Sequence, residues 1–167
     1  WPGCYGFVVF PTTEAEILLA EQRYPQFPYE IDKAIPEVVH RYFAAALGFI
    51  AILLVAFAFK YNLPKKIKAI TSFLLFFICC QGLFGYLTVS LKLLPIIVTG
   101  HLFGGFITLS LFFYLFLSTT DGIRNHQIGH LKILGGIALI ALLIQIFLGV
   151  WTSTNYASLA CADFPTC

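Results

Sequence analysis

An all-α integral membrane protein, built as a four-helix bundle, is the fold class this sequence predicts, and three observations predict it. Hydrophobic residues make up 59% of the chain and charged residues 11%, where a soluble domain carries about 25% charged residues. Mean hydropathy is +0.88. Four stretches, 42–59, 69–91, 93–120 and 133–162, contain no Asp, Glu, Lys or Arg. A helix needs roughly 20 apolar residues to cross the hydrocarbon core, so spans are expected at 36–59, 67–90, 95–118 and 131–153. Four such runs cannot all be buried in the core of so short a soluble chain.

Residues 1–35 read as an outer loop with a short interfacial helix. The loop carries five carboxylates, Glu14, Glu16, Glu21, Glu30 and Asp32. Within it, "TEAEILLAEQ" is helical in pattern: Thr13 and Glu16 have capping-box spacing, and Ile17, Leu18 and Leu19 can rest on the membrane surface. Pro25 and Pro28 return the chain toward the first span. Residues 36–118 then hold three spans, 119–130 a linker, 131–153 a fourth span and 154–167 an outer loop with two cysteines.

Basic residues set the orientation. Lys60, Lys65, Lys66 and Lys68 follow the first span, and Arg124 and Lys132 follow the third, giving six on one side. Arg23, Lys33, Arg41 and Lys92 lie on the other side with most of the carboxylates. The positive-inside rule places the first group, including the 119–130 linker, in the cytoplasm, or in the matrix of a mitochondrion. Both chain ends are then expected outside.

Two elements recur. The second span ends "QGLFGYLTVS" and the fourth "QIFLGVWTST", both fitting Q-x-x-x-G-x-x-T through Gln81, Gly85, Thr88 and Gln145, Gly149, Thr152. Offsets of four and seven put the three residues on one helical face. Close helix packing is the first reading of such a face; a polar lining beside a cofactor is the other. The opening "WPGC" also matches the closing "FPTC" as aromatic, Pro, small, Cys. The chain is therefore expected to be the interior of a longer repeat protein. The spacing of Cys161 and Cys167 in "CADFPTC" allows a disulfide-closed loop on the oxidising side, with two free thiols as the alternative. Cys4 stands where the second member of an equivalent pair would. Cys79 and Cys80, adjacent in mid-span, read as small buried apolar residues.

Ionisable groups inside spans mark function. "PEVVHRYFA" sets Glu37, His40 and Arg41 at the outer end of the first span, and "TGHLFGG" sets His101 in the outer part of the third. His40 lies four residues past Pro36 and His101 six past Pro95, at depths of roughly 6 and 9 Å along parallel helices. Two imidazoles so placed suit the opposite axial positions of a haem iron. Ala44 and Gly48 below His40, and Gly104 and Gly105 below His101, leave room for a flat macrocycle. Glu37 can exchange a proton at a haem edge, although position alone favours a helix-dipole role. Arg41 suits a haem propionate or can snorkel to the interface. His126 and His130 read as solvated loop residues. No nucleic-acid-binding pattern is present.

Together, "EVVHRYFAA", "QGLFGYLTV" with "PIIVTGHL", and "QIFLGVWTS" with "CADFPTC" resemble the haem A synthase family, over nearly the whole chain. The resemblance implies a pseudo-symmetric eight-helix protein of two four-helix halves, each with a histidine pair. It implies conversion of haem O to haem A by oxidation of a haem methyl to a formyl group, for cytochrome oxidase. By this mapping the chain holds spans two to five, and 131–153 is the first span of the C-terminal half. His40 and His101 become the iron ligands for substrate haem O, Glu37 the catalytic carboxylate, and Cys161 and Cys167 the outer-loop disulfide pair. Cys4 pairs with a cysteine outside the chain. Haem b belongs to the C-terminal half, whose histidines this chain does not include, so the chain alone is expected to be inactive. The expected partners are the haem substrate, membrane lipid and an electron donor of unspecified type, with self-association or contact with the haem O synthase as further candidates. The expected location is the bacterial inner membrane, or the mitochondrial inner membrane. Two other functions are alternatives: an electron-transfer cytochrome using the same histidines, and a membrane thiol–disulfide oxidoreductase relaying electrons from outer-loop cysteines to a quinone, which typically needs a C-x-x-C that is absent here.

Overall fold

The computed structural model describes residues 3–26, 28–120 and 129–157. Among them are five helices: α1 (Glu14–Arg23), α2 (Ile31–Lys60), α3 (Lys65–Ser90), α4 (Pro95–Thr119) and α5 (Gly129–Thr154). The last four are long and apolar enough to cross a membrane, and the chain is an all-α integral membrane protein as expected. Cys161, Cys167, Asp121, Arg124 and His126 lie outside the described residues.

Two boundaries differ from expectation. α2 begins at Ile31, five residues before Pro36, which sits inside the helix. Proline there forfeits only the one bond that residue 36 would donate back to Asp32. The added turn carries Asp32 and Lys33, charges that belong at the interface and so hid it from an apolar-run reading. α5 begins at Gly129, so the backbone of His130 lies in its first turn and not in a loop.

The chain divides into two compact units, Trp1–Tyr61 and Asn62–Cys167. The first holds α1, α2 and the outer loop. Thr13 caps α1: its hydroxyl accepts from the Glu16 N–H at 3.3 Å, and Glu16 reaches back to the Thr13 N–H at 3.0 Å, completing the expected box. Glu16 also accepts from the Thr12 N–H at 2.9 Å and hydroxyl at 3.1 Å. These donors, the Thr12 N–H first, hold its carboxyl down to about 2 from 4.5. A carboxyl lowered by folding stabilises the fold fully above its unfolded value and loses that contribution as pH falls through the folded one. The helical chemical shifts of 14–23 are therefore expected to be constant above pH 4.5 and to collapse toward pH 2, with Glu16→Gln removing most of that pH dependence.

The outer loop is tied down by tyrosines. Tyr29 donates to the Pro11 carbonyl at 2.6 Å, Tyr42 to Val8 at 2.8 Å and Tyr5 to Pro28 at 3.1 Å. Tyr5 also packs edge-on against Tyr24 and Tyr29. Beneath them Cys4, Ala34 and Val38 form a small core, flanked by Tyr5, Phe10 and Tyr29.

The second unit packs α4 against α3 and, less extensively, against α5. Pro64 stands at the N-cap of α3, and the residue before a proline is driven out of helical geometry. α3 ends with Lys92 and Leu93 in left-handed conformation, φ 50° and 61°. Leu93 N–H reaches Thr88 O at 2.8 Å and Lys92 N–H reaches Val89 O at 3.1 Å, a Schellman closure made without glycine. Pro95 then opens α4 at a position that needs no N–H.

Lipid offers hydroxyls no partner, so they fold back on their own helices. Thr71 bonds Ile67 O at 3.0 Å, Thr99 bonds Pro95 O at 2.7 Å and Ser110 bonds Phe106 O at 2.8 Å. Apolar side chains face outward: Ile133, Leu134, Ile137 and Ile140 of α5 are each at least 60% exposed, as a lipid-facing helix requires. Cys79 is exposed on α3 and Cys80 half-buried, which corrects the expectation that both are buried.

Candidate functional site

His101 sits on the seam between α3 and α4. The two helices are antiparallel across a short connection, and three contacts mark their register. The His101 ring lies on the bare backbone of Gly85: a Cβ added there would stand 3.3 Å from the ring Cε1 and 3.5 Å from Nε2. Gly100 faces Phe84, with a Cβ 3.2 Å from its ring. The carboxamide of Gln81 fills the space at Gly104 so fully that a Cβ would overlap it. Each helix thus contributes one polar side chain and one glycine to a reciprocal lock, His101 on Gly85 and Gln81 on Gly104. Thr88 donates to Gly85 O at 2.7 Å and buried Thr108 to Gly104 O at 2.9 Å.

The Q-x-x-x-G-x-x-T face of α3 is therefore a packing seam, but one with a polar member. Gln81 Oε1 is buried and has no hydrogen-bond partner among the described residues. The copy on α5 is open: a Cβ at Gly149 meets nothing within 4 Å, and Thr152 bonds its own Leu148 O at 2.6 Å. Room below His101 is also narrower than the two adjacent glycines suggest. Gly104 is filled by Gln81, whereas a Cβ at Gly105 meets nothing within 4 Å.

In the other unit α2 carries Glu37, His40 and Arg41. The helix start at Ile31 puts His40 nine residues in, about 13 Å along the axis at helical rise. Val38 faces the core, and His40, two residues on and about 200° round the helix, is exposed. Glu37 and Arg41, one turn apart, form an ion pair, and Arg41 Nη1 also donates to the Gly3 carbonyl at 2.7 Å. Glu37 is thereby held by a neighbour on its own helix, and Arg41 is a strut between the loop and α2. Arg41→Ala is expected to strand the Gly3 carbonyl and the Glu37 carboxylate, at a cost of roughly 1–3 kcal/mol. Faster hydrogen exchange at the Cys4 and Phe7 amides, which pair with each other at 3.0 and 2.9 Å, is the readout.

Burial pushes the Cys4 thiol above its ordinary value, and the Glu37 charge adds to this against a smaller opposing effect of Arg41. A thiol kept protonated is a poor nucleophile. Among the described residues no three or more His, Cys, Asp or Glu gather as a metal cage would. His40 belongs to the first unit and His101 to the second. Sequence reasoning missed the Gln81–Gly104 contact and the Arg41–Gly3 strut. The first had a signal, because Q-x-x-x-G on one helix and H-x-x-G on its antiparallel neighbour are complementary in spacing. The second, bridging residues 38 apart in sequence, had none.

Comparison with known proteins places these residues in context. The profile of the COX15-CtaA family, described as cytochrome oxidase assembly protein, matches residues 1–167. The "Heme A synthase" of Shewanella oneidensis is 38% identical over 170 aligned residues, covering all of this chain and 51% of the relative. The chain thus spans about half the length of the curated relative it matches. No solved structure matches.

Proposed function

From the premise that this chain belongs to the COX15-CtaA family of cytochrome oxidase assembly proteins, we propose that it carries the substrate-haem half of a haem A synthase, which oxidises a methyl substituent of haem O to the formyl group of haem A. The observation that carries this reading is the alignment of every part of the chain, both histidine segments included, with a haem A synthase. The residues present fit a haem. Two imidazoles on membrane spans are a suitable donor set for a haem iron. Below His101, the α4 face at Gly105 is open enough for a ring to approach.

His40 and His101 would be the residues that hold the haem iron. When bound, the haem would supply the methyl group that is oxidised and a redox-active iron; the four-electron change also adds one oxygen atom, and the electron acceptor and the oxygen source both come from outside these residues. Glu37 would take up or deliver protons at the haem edge, and its pairing with Arg41 fixes where its carboxylate stands. A guanidinium has five N–H donors. Arg41 spends donors on Glu37 and Gly3, and the others suit a propionate. By the balance of basic residues, this site lies on the outer side of the membrane.

Haem extraction tests the reading. Cells that depend on this protein for haem A are expected to accumulate haem O when it is deleted, and to recover haem A when it is restored. An unchanged ratio of haem A to haem O would overturn the enzymatic reading and favour the bis-His electron-transfer cytochrome, which leaves the macrocycle unaltered.

A further inference from the structure

We propose that Gln81 is a positioning residue for His101, with its buried carboxamide oxygen serving as the acceptor for the imidazole N–H on the side away from the iron. The proposal rests on His101 being an iron ligand, as proposed above. Three observations carry it. Gln81 Oε1 is buried on the α3–α4 seam and has no hydrogen-bond partner among the described residues. Its carboxamide is seated at Gly104, one turn along α4 from His101 and on the same seam. The His101 ring is in turn seated at Gly85, one turn along α3 from Gln81.

The chemistry follows from the two nitrogens of imidazole. When one nitrogen binds a metal, the other carries a proton, and its acceptor sets the ring's orientation and basicity. An amide oxygen buried between two membrane helices has no water to satisfy it, so it is an acceptor held in reserve. Gly104 is glycine because the carboxamide occupies the place of a side chain, and Gly85 is glycine because the imidazole does. The lock therefore does more than bring two helices together. It holds an acceptor and a ligand side chain on adjacent turns of one seam, both in α3 and α4, before any haem arrives.

An acceptor on the far N–H makes the ligating nitrogen more electron-rich and favours ferric over ferrous iron. The test is a potentiometric titration of the whole protein in detergent with haem b as the probe, following the haem signal that His101→Ala removes. Gln81→Leu is expected to raise the midpoint potential of that signal. Gln81→Glu, equal in size and retaining an acceptor oxygen, is expected to leave it unchanged or lower it. Gly104→Ala, which displaces the carboxamide, is expected to shift it in the same direction as Gln81→Leu. Unmoved potentials in all three variants, or a Gln81→Glu shift as large and in the same direction as Gln81→Leu, would overturn the proposal while leaving the ligand assignment standing. Absence of any His101-dependent haem signal in the unmutated protein would overturn both. Because Gly104→Ala retains Gln81 and moves only its carboxamide, it keeps the test decisive if the leucine variant does not fold.

Discussion

Replacing His101 with alanine is expected to abolish haem A formation by the whole protein, with haem O accumulating in its place. His40→Ala is expected to do the same. Losing a hydrogen-bond partner behind a metal ligand typically costs 10–100-fold, so losing the ligand itself should cost on the order of 100-fold or more. The two variants should be alike, because the proposed function gives each imidazole the same role toward the haem iron. Their folds should be intact. His40 is exposed and lies outside the small core of Cys4, Ala34 and Val38. His101 rests on Gly85, and its removal opens only a modest gap on the seam. Haem extraction from cells carrying each variant reads the outcome. Haem A at the unmutated level in both would remove the histidines from the chemistry.

The second large effect separates two neighbouring glycines. Gly104→Leu is expected to force α3 and α4 apart, because any side chain there collides with the Gln81 carboxamide. Overpacking of this kind costs roughly 1–3 kcal/mol, and the melting temperature in detergent should fall accordingly. Gly105→Ala, one residue on, meets nothing within 4 Å. It should leave stability unchanged or raise it, since alanine favours a helix over glycine by about 1 kcal/mol. A bulky Gly105→Leu should likewise fold, yet hold haem more weakly, because it fills the open face below His101. Equal destabilisation at both positions would contradict the reciprocal lock.

The membrane helices were legible in the sequence because charge-free runs of sufficient length have one physical solution in lipid. Thr13 and Glu16 were legible as a cap because both partners of that motif lie within four residues. The start of α2 was misplaced because Pro36 resembles a first-turn proline, while the true first turn, with Asp32 and Lys33, is polar and lies outside the apolar run. His101 stood out as an ionisable group within a span. Its seat on Gly85 did not, because that depends on the register between two helices, which neither helix's periodicity reveals alone. The tyrosine ties of the outer loop were illegible for a related reason. Tyr42 to Val8 and Tyr29 to Pro11 join residues 34 and 18 apart through backbone carbonyls, and a carbonyl acceptor leaves no trace in residue identity.

The central claim is that His40 and His101 ligate one haem iron, and electron paramagnetic resonance of the ferric whole protein tests it most directly. Besides the signal of the haem b expected in the C-terminal half, the account predicts a second low-spin bis-imidazole signal that either His40→Ala or His101→Ala converts to high spin, and that added imidazole restores in both variants. A low-spin spectrum of unchanged shape and amplitude in either single variant would contradict it.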